Sequence, residues 1–188
     1  MTKKELRSYI KSIIPSNPEK IKTESVRICN KILQCHQYLS APLVLCYMAM
    51  DDEVNLEKVM IDAISRKKSI GLPRIMTQSG LMNFYYVDAQ TPLKAEDTYG
   101  IREPEAKDEN LISPDSLPDG TLILVPGRAF TKDGCRLGRG KGFYDRWLSK
   151  IPLDKKNRLH LAGICFLQQI VESIPCDEDD IMMNSVFY

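Results

Sequence analysis

Residues 138–145 read Gly-Arg-Gly-Lys-Gly-Phe-Tyr-Asp. Glycines at alternate positions strip side chains from one short arc, so backbone N–H groups can approach a phosphate closely. A helix expected from about Phe143 to Ser149 adds unpaired N–H groups and the positive end of its dipole. Arg136, Arg139 and Lys141 set three cations around the same arc. Asp145, just inside the helix, is placed to hold a metal ion, or serves only as a first-turn acid favoured by the dipole. On residue types alone the arc is a phosphate-binding turn or a flexible basic surface loop.

Two better-known glycine motifs do not fit. A Walker A loop needs glycine where Cys135 stands and Ser or Thr where Gly142 stands. The dinucleotide-binding pattern needs its third glycine at Phe143. An RNA-contacting loop is disfavoured by the formal net charge of +1 and by the missing aromatic platform. With so little net charge, no global field steers the chain to nucleic acid or to a membrane surface, and any anion site must be local.

The elements that must carry this arc suit an α/β domain. The chain has 188 residues, 43% hydrophobic and 27% charged, enough for one domain with a core that needs no staples. Cys29, Cys35, Cys46, Cys135, Cys165 and Cys176 form no C-x-x-C pair and read as reduced thiols of a cytoplasmic protein. The adjacent Cys35 and His36 lack metal spacing. No apolar stretch has membrane-spanning length, and the start of the chain lacks a signal-peptide core. Glu5 and the absence of an Arg/Ser-rich leader count against a mitochondrial presequence.

Lys3 to Ile14 reads as a helix with an apolar stripe of Leu6, Ile10, Ile13 and Ile14 beside a basic stripe of Lys3, Arg7 and Lys11. Asn17 and Pro18 read as the cap and first position of a second helix, which runs to about Cys35. Leu43 to Met48 reads as a buried strand. A helix capped by Asn55 follows, then strands over Ser69 to Ile75, ending near Pro73, and over Leu81 to Val87. That alternation predicts a parallel sheet with crossover helices. Residues 88–118 read as a long irregular connection. Thr121 to Val125 is the clearest buried strand, and Leu159 to Phe166 is another. The tail from Asp177 to Asp180 is acidic.

Val125-Pro126-Gly127, Ala129-Phe130, Gly134 and the run from Arg136 through Asp145 together resemble the signature of the 5-formyltetrahydrofolate cyclo-ligase family. The likeness extends over nearly the whole chain. It implies one cyclo-ligase-like domain over residues 1–188 and an α/β fold with a central, largely parallel sheet flanked by helices; beside it stands the expectation of a monomer in the cytoplasm with no nucleic-acid or membrane partner. It also implies ATP, magnesium and 5-formyltetrahydrofolate, with or without a polyglutamate tail, giving 5,10-methenyltetrahydrofolate, ADP and phosphate.

The resemblance further implies roles. Lys141 and Arg139 would be catalytic, stabilising the transferring phosphoryl group. Lys3, Lys4 and Arg7 would contact ATP from the N-terminal helix, with Arg136, Leu137, Gly138, Arg139, Gly140, Lys141, Gly142, Phe143 and Tyr144 from the arc. The folate would meet Met48, Glu53 and Tyr99, and also Arg139, Gly140, Lys141, Gly142 and Phe143. Asp145 and Asp180 would position magnesium. Arg128 stands where an apolar residue is common in the family, and Asn184 where Asp is. The competing expectation is a non-catalytic nucleotide- or folate-binding relative; a sugar-phosphate or CoA enzyme on a related sheet is a third, weaker one.

Overall fold

The computed structural model describes residues 1–76, 79–95, 100–175 and 180–188. Helix α1 (Lys3–Ile13) starts at a capping box. The Thr2 hydroxyl accepts the Glu5 N–H at 3.2 Å, and the Glu5 carboxylate accepts the Thr2 N–H at 2.8 Å. Leu6, Ile10 and Ile14 are buried as the periodicity predicts, whereas Ile13 is exposed. In α2 (Pro18–Gln34) the Asn17 side-chain oxygen Oδ1 accepts the N–H groups of Glu19 and Lys20, with Pro18 at the first position. A short α3 (His36–Ser40) leads into β1 (Leu43–Leu45), half the length expected, so Met48 lies beyond the strand. Helix α4 (Glu57–Ser65) follows, and the Asn55 side chain accepts the Glu57 N–H at 2.8 Å.

Strand β2 (Ser69–Met76) lies parallel to β1, as a right-handed crossover through α4 allows. It does not end at Pro73. The Gly71 carbonyl accepts the Cys46 N–H, so residues 71, 73 and 75 turn their backbone toward β1. β1 has already ended there, and proline's missing N–H costs no ladder bond. β3 (Leu81–Val87) then returns antiparallel to β2, a hairpin where the sequence predicts another parallel strand. The connection over 88–118 is less irregular than expected. It contains β4 (Leu93–Lys94), β5 (Glu103–Pro104), which pairs with β4, and β6 (Leu111–Ile112), which extends the sheet beside β3.

The second half comprises β7 (Leu122–Pro126), a two-stranded ribbon of β8 (Ala129–Phe130) and β9 (Arg136–Leu137), α5 (Phe143–Leu148), α6 (Leu153–Lys156), β10 (His160–Ile164) and β11 (Ser185–Phe187). Among the described residues the main sheet runs β11-β10-β7-β1-β2-β3-β6. Its first five members are mutually parallel and the last two join antiparallel, the largely parallel α/β sheet expected. Asn184 docks the tail: its N–H donates to the Leu161 carbonyl and its side chain accepts the Leu161 N–H, both at 2.8 Å.

Both faces of the sheet are covered. Leu122 and Leu124 pack with Ile10, Ile28, Ile32 and Val59 from α1, α2 and α4. Ile123 and Val125 pack with Trp147 and Leu148 from α5. A strand buried on both faces reads as a continuous apolar run, which is why β7 is so plain in the sequence. Each such side chain contributes roughly 1.5–3 kcal/mol of burial.

This topology creates the crevice. β1 and β7 are neighbours, but β1 leads through α4 to β2 on one side and β7 leads through α5 and α6 to β10 on the other. Connections that diverge from adjacent parallel strands leave a gap at the strands' carboxyl ends, where α/β sheets bind ligands.

Candidate active site

A cavity of about 420 Å³ lies at that gap. Tyr47, Met48, Met50 and Glu53 reach it from the loop after β1, and Arg128, Arg136, Gly138, Arg139 and Lys141 from the excursion after β7. Helix α1 contributes Arg7, Ser8 and Lys11; Pro73, Ile75, Met82 and Ile101 supply an apolar wall.

The loop after β1 is held by its own hydrogen bonds and by one to α2. The Tyr47 hydroxyl donates to the Val54 carbonyl at 2.9 Å. The Glu53 N–H donates to the Met50 carbonyl, and the Met50 N–H donates back to the Glu53 carboxylate, both at 3.0 Å. The Asn55 N–H donates to the Ser25 hydroxyl at 3.0 Å. Glu53 is thereby aimed into the cavity with a side chain only 10% exposed. Its other carboxylate oxygen takes the Arg139 guanidinium, Nε at 2.9 Å and a terminal nitrogen at 2.8 Å. Asp52 binds both Arg139 and Arg128. Burial pushes the Asp52 carboxyl up, but hydrogen bonds from Arg139 and Arg128 outweigh it and hold the group below its ordinary value of 3.8.

The glycine-rich arc is held from outside. Arg7 Nε donates to the Gly138 carbonyl at 2.8 Å, which places α1 on the arc. Gly140 has φ of 96° and Gly142 has φ of 65°, conformations that side chains disfavour. Arg136 donates to the Pro126 carbonyl and to Asp145, both at 2.9 Å, and lies 5.3 Å from the centre of the Tyr144 ring. The Tyr144 hydroxyl is buried without a hydrogen-bond partner among the described residues. Burial, reinforced by the Glu53 charge, pushes its pKa well up. Lys141 is exposed and makes no ion pair among the described residues. The helix that follows has six residues, so the dipole expected of it is a weak contributor.

Glu103 closes the open edge of β2. Its carboxylate, almost fully buried, accepts the Ile75 N–H at 3.0 Å where β1 no longer reaches. Arg74 donates to the Pro104 carbonyl at 2.7 Å beside it. Together they fix the apolar wall.

The metal expectation meets a sparse donor set. Asp145 accepts from Arg136, and Asp180 accepts from Lys3 at 2.9 Å. Among the described residues no group of three His, Cys, Asp or Glu gathers as metal ligands. One or two carboxylates completed by phosphate oxygens and waters is how magnesium is commonly held beside a nucleotide, so Asp145, in the cavity lining, fits an ion that arrives with its phosphates, while Asp180 stands outside that lining.

Of the residues singled out in the sequence, Arg7, Met48, Glu53, Arg136, Gly138, Arg139, Lys141, Gly142, Phe143, Tyr144 and Asp145 line one cavity. Gly140 lies against Arg7, and Lys3 with Asp180 forms a pair outside the lining. Lys4 is exposed on α1 and Leu137 is buried in the core. Tyr99 lies outside the described residues. Sequence reasoning missed Asp52, Glu103, Ser8, Lys11 and the apolar wall, and saw Arg128 only as a departure. An acid next to Glu53 was the available signal; nothing in the sequence marks the acid before Pro104.

The model of the 5-formyltetrahydrofolate cyclo-ligase family matches residues 1–188. A Mus musculus protein named 5-formyltetrahydrofolate cyclo-ligase is 29% identical over 191 residues, covering 99% of this chain and 93% of its own. The solved structure of Aquifex aeolicus 5,10-methenyltetrahydrofolate synthetase superposes with a TM-score of 0.78 at 26% identity, covering 100% of this chain and 89% of that one. A 5,10-methenyltetrahydrofolate synthetase from Mycoplasma pneumoniae shares the fold, with a TM-score of 0.73 at 18% identity over 100% of this chain and 98% of that one.

Proposed function

Because this chain belongs to the 5-formyltetrahydrofolate cyclo-ligase family, a family of enzymes, we propose that it converts 5-formyltetrahydrofolate to 5,10-methenyltetrahydrofolate with magnesium and ATP, releasing ADP and phosphate. The observation that carries the reading is one cavity with a fixed acid, Glu53, on one side and a glycine-rich arc bearing Arg139 and Lys141 on the other.

The formyl oxygen is a poor leaving group. ATP supplies the phosphoryl group that turns it into a good one, and the substrate's own N10 then closes the ring as phosphate departs. Such chemistry needs alignment and charge stabilisation more than a protein nucleophile. Glu53 accepts hydrogen bonds from the pterin's amino and ring N–H groups, which fixes the formyl group toward the arc. Met48, Ile75, Met82 and Phe143 exclude water from the ring system. Lys141, with no ion pair among the described residues, stabilises the charge on the transferring phosphoryl group, and Arg139 turns to it from its carboxylates. Lys3, Lys4 and Arg7 hold the remaining phosphates from α1. Arg136, Gly138, Gly140 and Gly142 shape the nucleotide side of the arc, and Leu137 and Tyr144 back it. Tyr99 packs on a substrate ring. Asp145 and Asp180 would hold magnesium, which supplies charge neutralisation on the phosphates; Arg136 and Lys3 occupy those carboxylates meanwhile.

The scheme takes residues 1–188 as one domain and the protein as a monomer. Among the described residues no helix is long and apolar enough to cross a membrane. The five described cysteines are free thiols, in keeping with a reducing compartment such as the cytoplasm.

The test is the absorbance of the methenyl product with purified protein. Signal should appear only when 5-formyltetrahydrofolate, ATP and magnesium are all present. Binding of both ligands by folded protein without turnover would replace this reading with that of a non-catalytic relative.

A further inference from the structure

Arg128, between β7 and β8, is neither loose nor idle. Its N–H donates to the Leu137 carbonyl at 2.6 Å, and its own carbonyl accepts the Gln169 side-chain amide at 3.1 Å. The guanidinium is 12% exposed and reaches across to Asp52 in the loop after β1. Asp52 and Glu53 also hold Arg139. Two cations and two carboxylates therefore alternate along one wall: Arg128, Asp52, Arg139, Glu53. With an apolar residue at 128 the same wall would set one cation against two carboxylates. Arg139 could then leave only by stranding a half-buried pair of negative charges, which is costly.

We propose that Arg128 is a positioning residue that takes over Asp52, so that Arg139 can turn from the acidic loop to the nucleotide's phosphates. The inference rests on the nucleotide-dependent reading of the site given above. It makes Arg139 a movable cation and Arg128 its fixed replacement. Asp52 keeps a full ion pair in both arrangements, and only Glu53 must exchange Arg139 for the donors of a bound folate. A consequence is that nucleotide and folate favour one another, since the folate occupies Glu53, which competes for Arg139, and the nucleotide draws Arg139 away from Glu53.

The experiment compares R128M, R128K, D52N and the double variant R128M/D52N with the wild type. KM for ATP and kcat are taken from the methenyl assay, and the affinity for magnesium-ATP from calorimetry. R128M should weaken nucleotide binding about tenfold, the size of one charge-assisted hydrogen bond, with a much smaller change in kcat. R128K should restore part of the loss. In R128M/D52N the competing carboxylate is gone, so nucleotide affinity should recover toward the wild-type value. A structural role for Arg128, or direct contact with the ligand, gives no such recovery. Unchanged affinity in R128M, or a double variant as weak as R128M or weaker, overturns the proposal. The calorimetric arm separates it from the reaction itself. Wild-type protein that binds nucleotide without turnover, with the same pattern among variants, refutes the reaction and upholds the role of Arg128. Wild-type protein that neither binds nor turns over refutes both.

Discussion

Residues 46–56 leave β1 and residues 138–142 leave β9, and both segments face the same cavity, yet they keep their shape by different means. The first is tied to itself, through Tyr47 to Val54 and the paired bonds between Met50 and Glu53. The second has positive φ at Gly140 and Gly142 and is tied to other elements, by Arg7 on the Gly138 carbonyl and by Arg139 on Asp52 and Glu53. A loop that fixes its own acid keeps its geometry when the cavity is empty. An arc whose bonds run to side chains elsewhere can exchange them for a ligand's oxygens. In physical terms the acidic loop is a template for the substrate's donors, and the arc is the adjustable half that closes on phosphate. Preorganisation on one side limits what the other must reorganise.

The comparison breaks first at Lys141, the cation of the arc with no ion pair among the described residues. Lys141→Ala should lower kcat/KM by an amount equivalent to about 2–4 kcal/mol of transition-state stabilisation. Because the side chain is exposed, the thermal midpoint should stay where it is. Steady-state kinetics beside a melting curve checks both; an unchanged rate removes Lys141 from the chemistry.

The next test strikes the acidic loop. Tyr47→Phe deletes the bond to a buried carbonyl, and an unsatisfied buried group costs about 1–3 kcal/mol. The loss should appear in the urea midpoint, and KM for the folate should rise because Glu53 is less firmly aimed. If stability falls while KM for the folate is unmoved, the loop does not act as a template. Gly140→Ala then probes the arc. A side chain at that φ costs about 1–2 kcal/mol, while the added methyl carbon would stand 3.5 Å from the Arg7 guanidinium, an ordinary contact. Strain without collision should depress kcat/KM and leave KM for the folate near its starting value. The opposite split would mean that the two loops do not divide the labour as described.

Much of this was legible in the sequence, for uneven reasons. β7 and the cap at Asn17 follow from local rules, as does the Asn55 bond to the first turn of α4, whose cap position is Leu56 rather than the Asn55 expected; the arc follows from spacing. The cavity does not, because the divergence at β1 and β7 depends on strand order, which no local pattern encodes. The length of β1 is hidden because burial continues past the end of its ladder, and β2 runs through Pro73 because no local pattern shows that β1 has already ended on that side. Arg128 was visible only as an odd residue; its meaning needs Asp52, which lies 76 positions away in the chain. Glu103 was invisible as a site residue because a buried acid that caps a strand edge looks like any loop acid.

The smallest effect expected, and one that belongs to the acidic loop alone, is its response to acid. The Asp52 carboxyl is held below 3.8 in the folded protein. A depressed carboxylate binds fewer protons folded than unfolded, so its contribution to stability is complete above 3.8 and is lost as pH falls through the lower folded value. Partial exposure of both partners screens the pair, which keeps the effect modest. Urea midpoints measured from neutral pH downward should therefore run level for this group until the pH nears 3.8 and then fall. In D52N that part of the fall should be missing, so the gap between the two proteins should narrow in acid. A gap that stays constant from neutrality through pH 3 would mean that Asp52 titrates as if unpaired. The wall of alternating charges would then have to be abandoned as the account of how Asp52 is held.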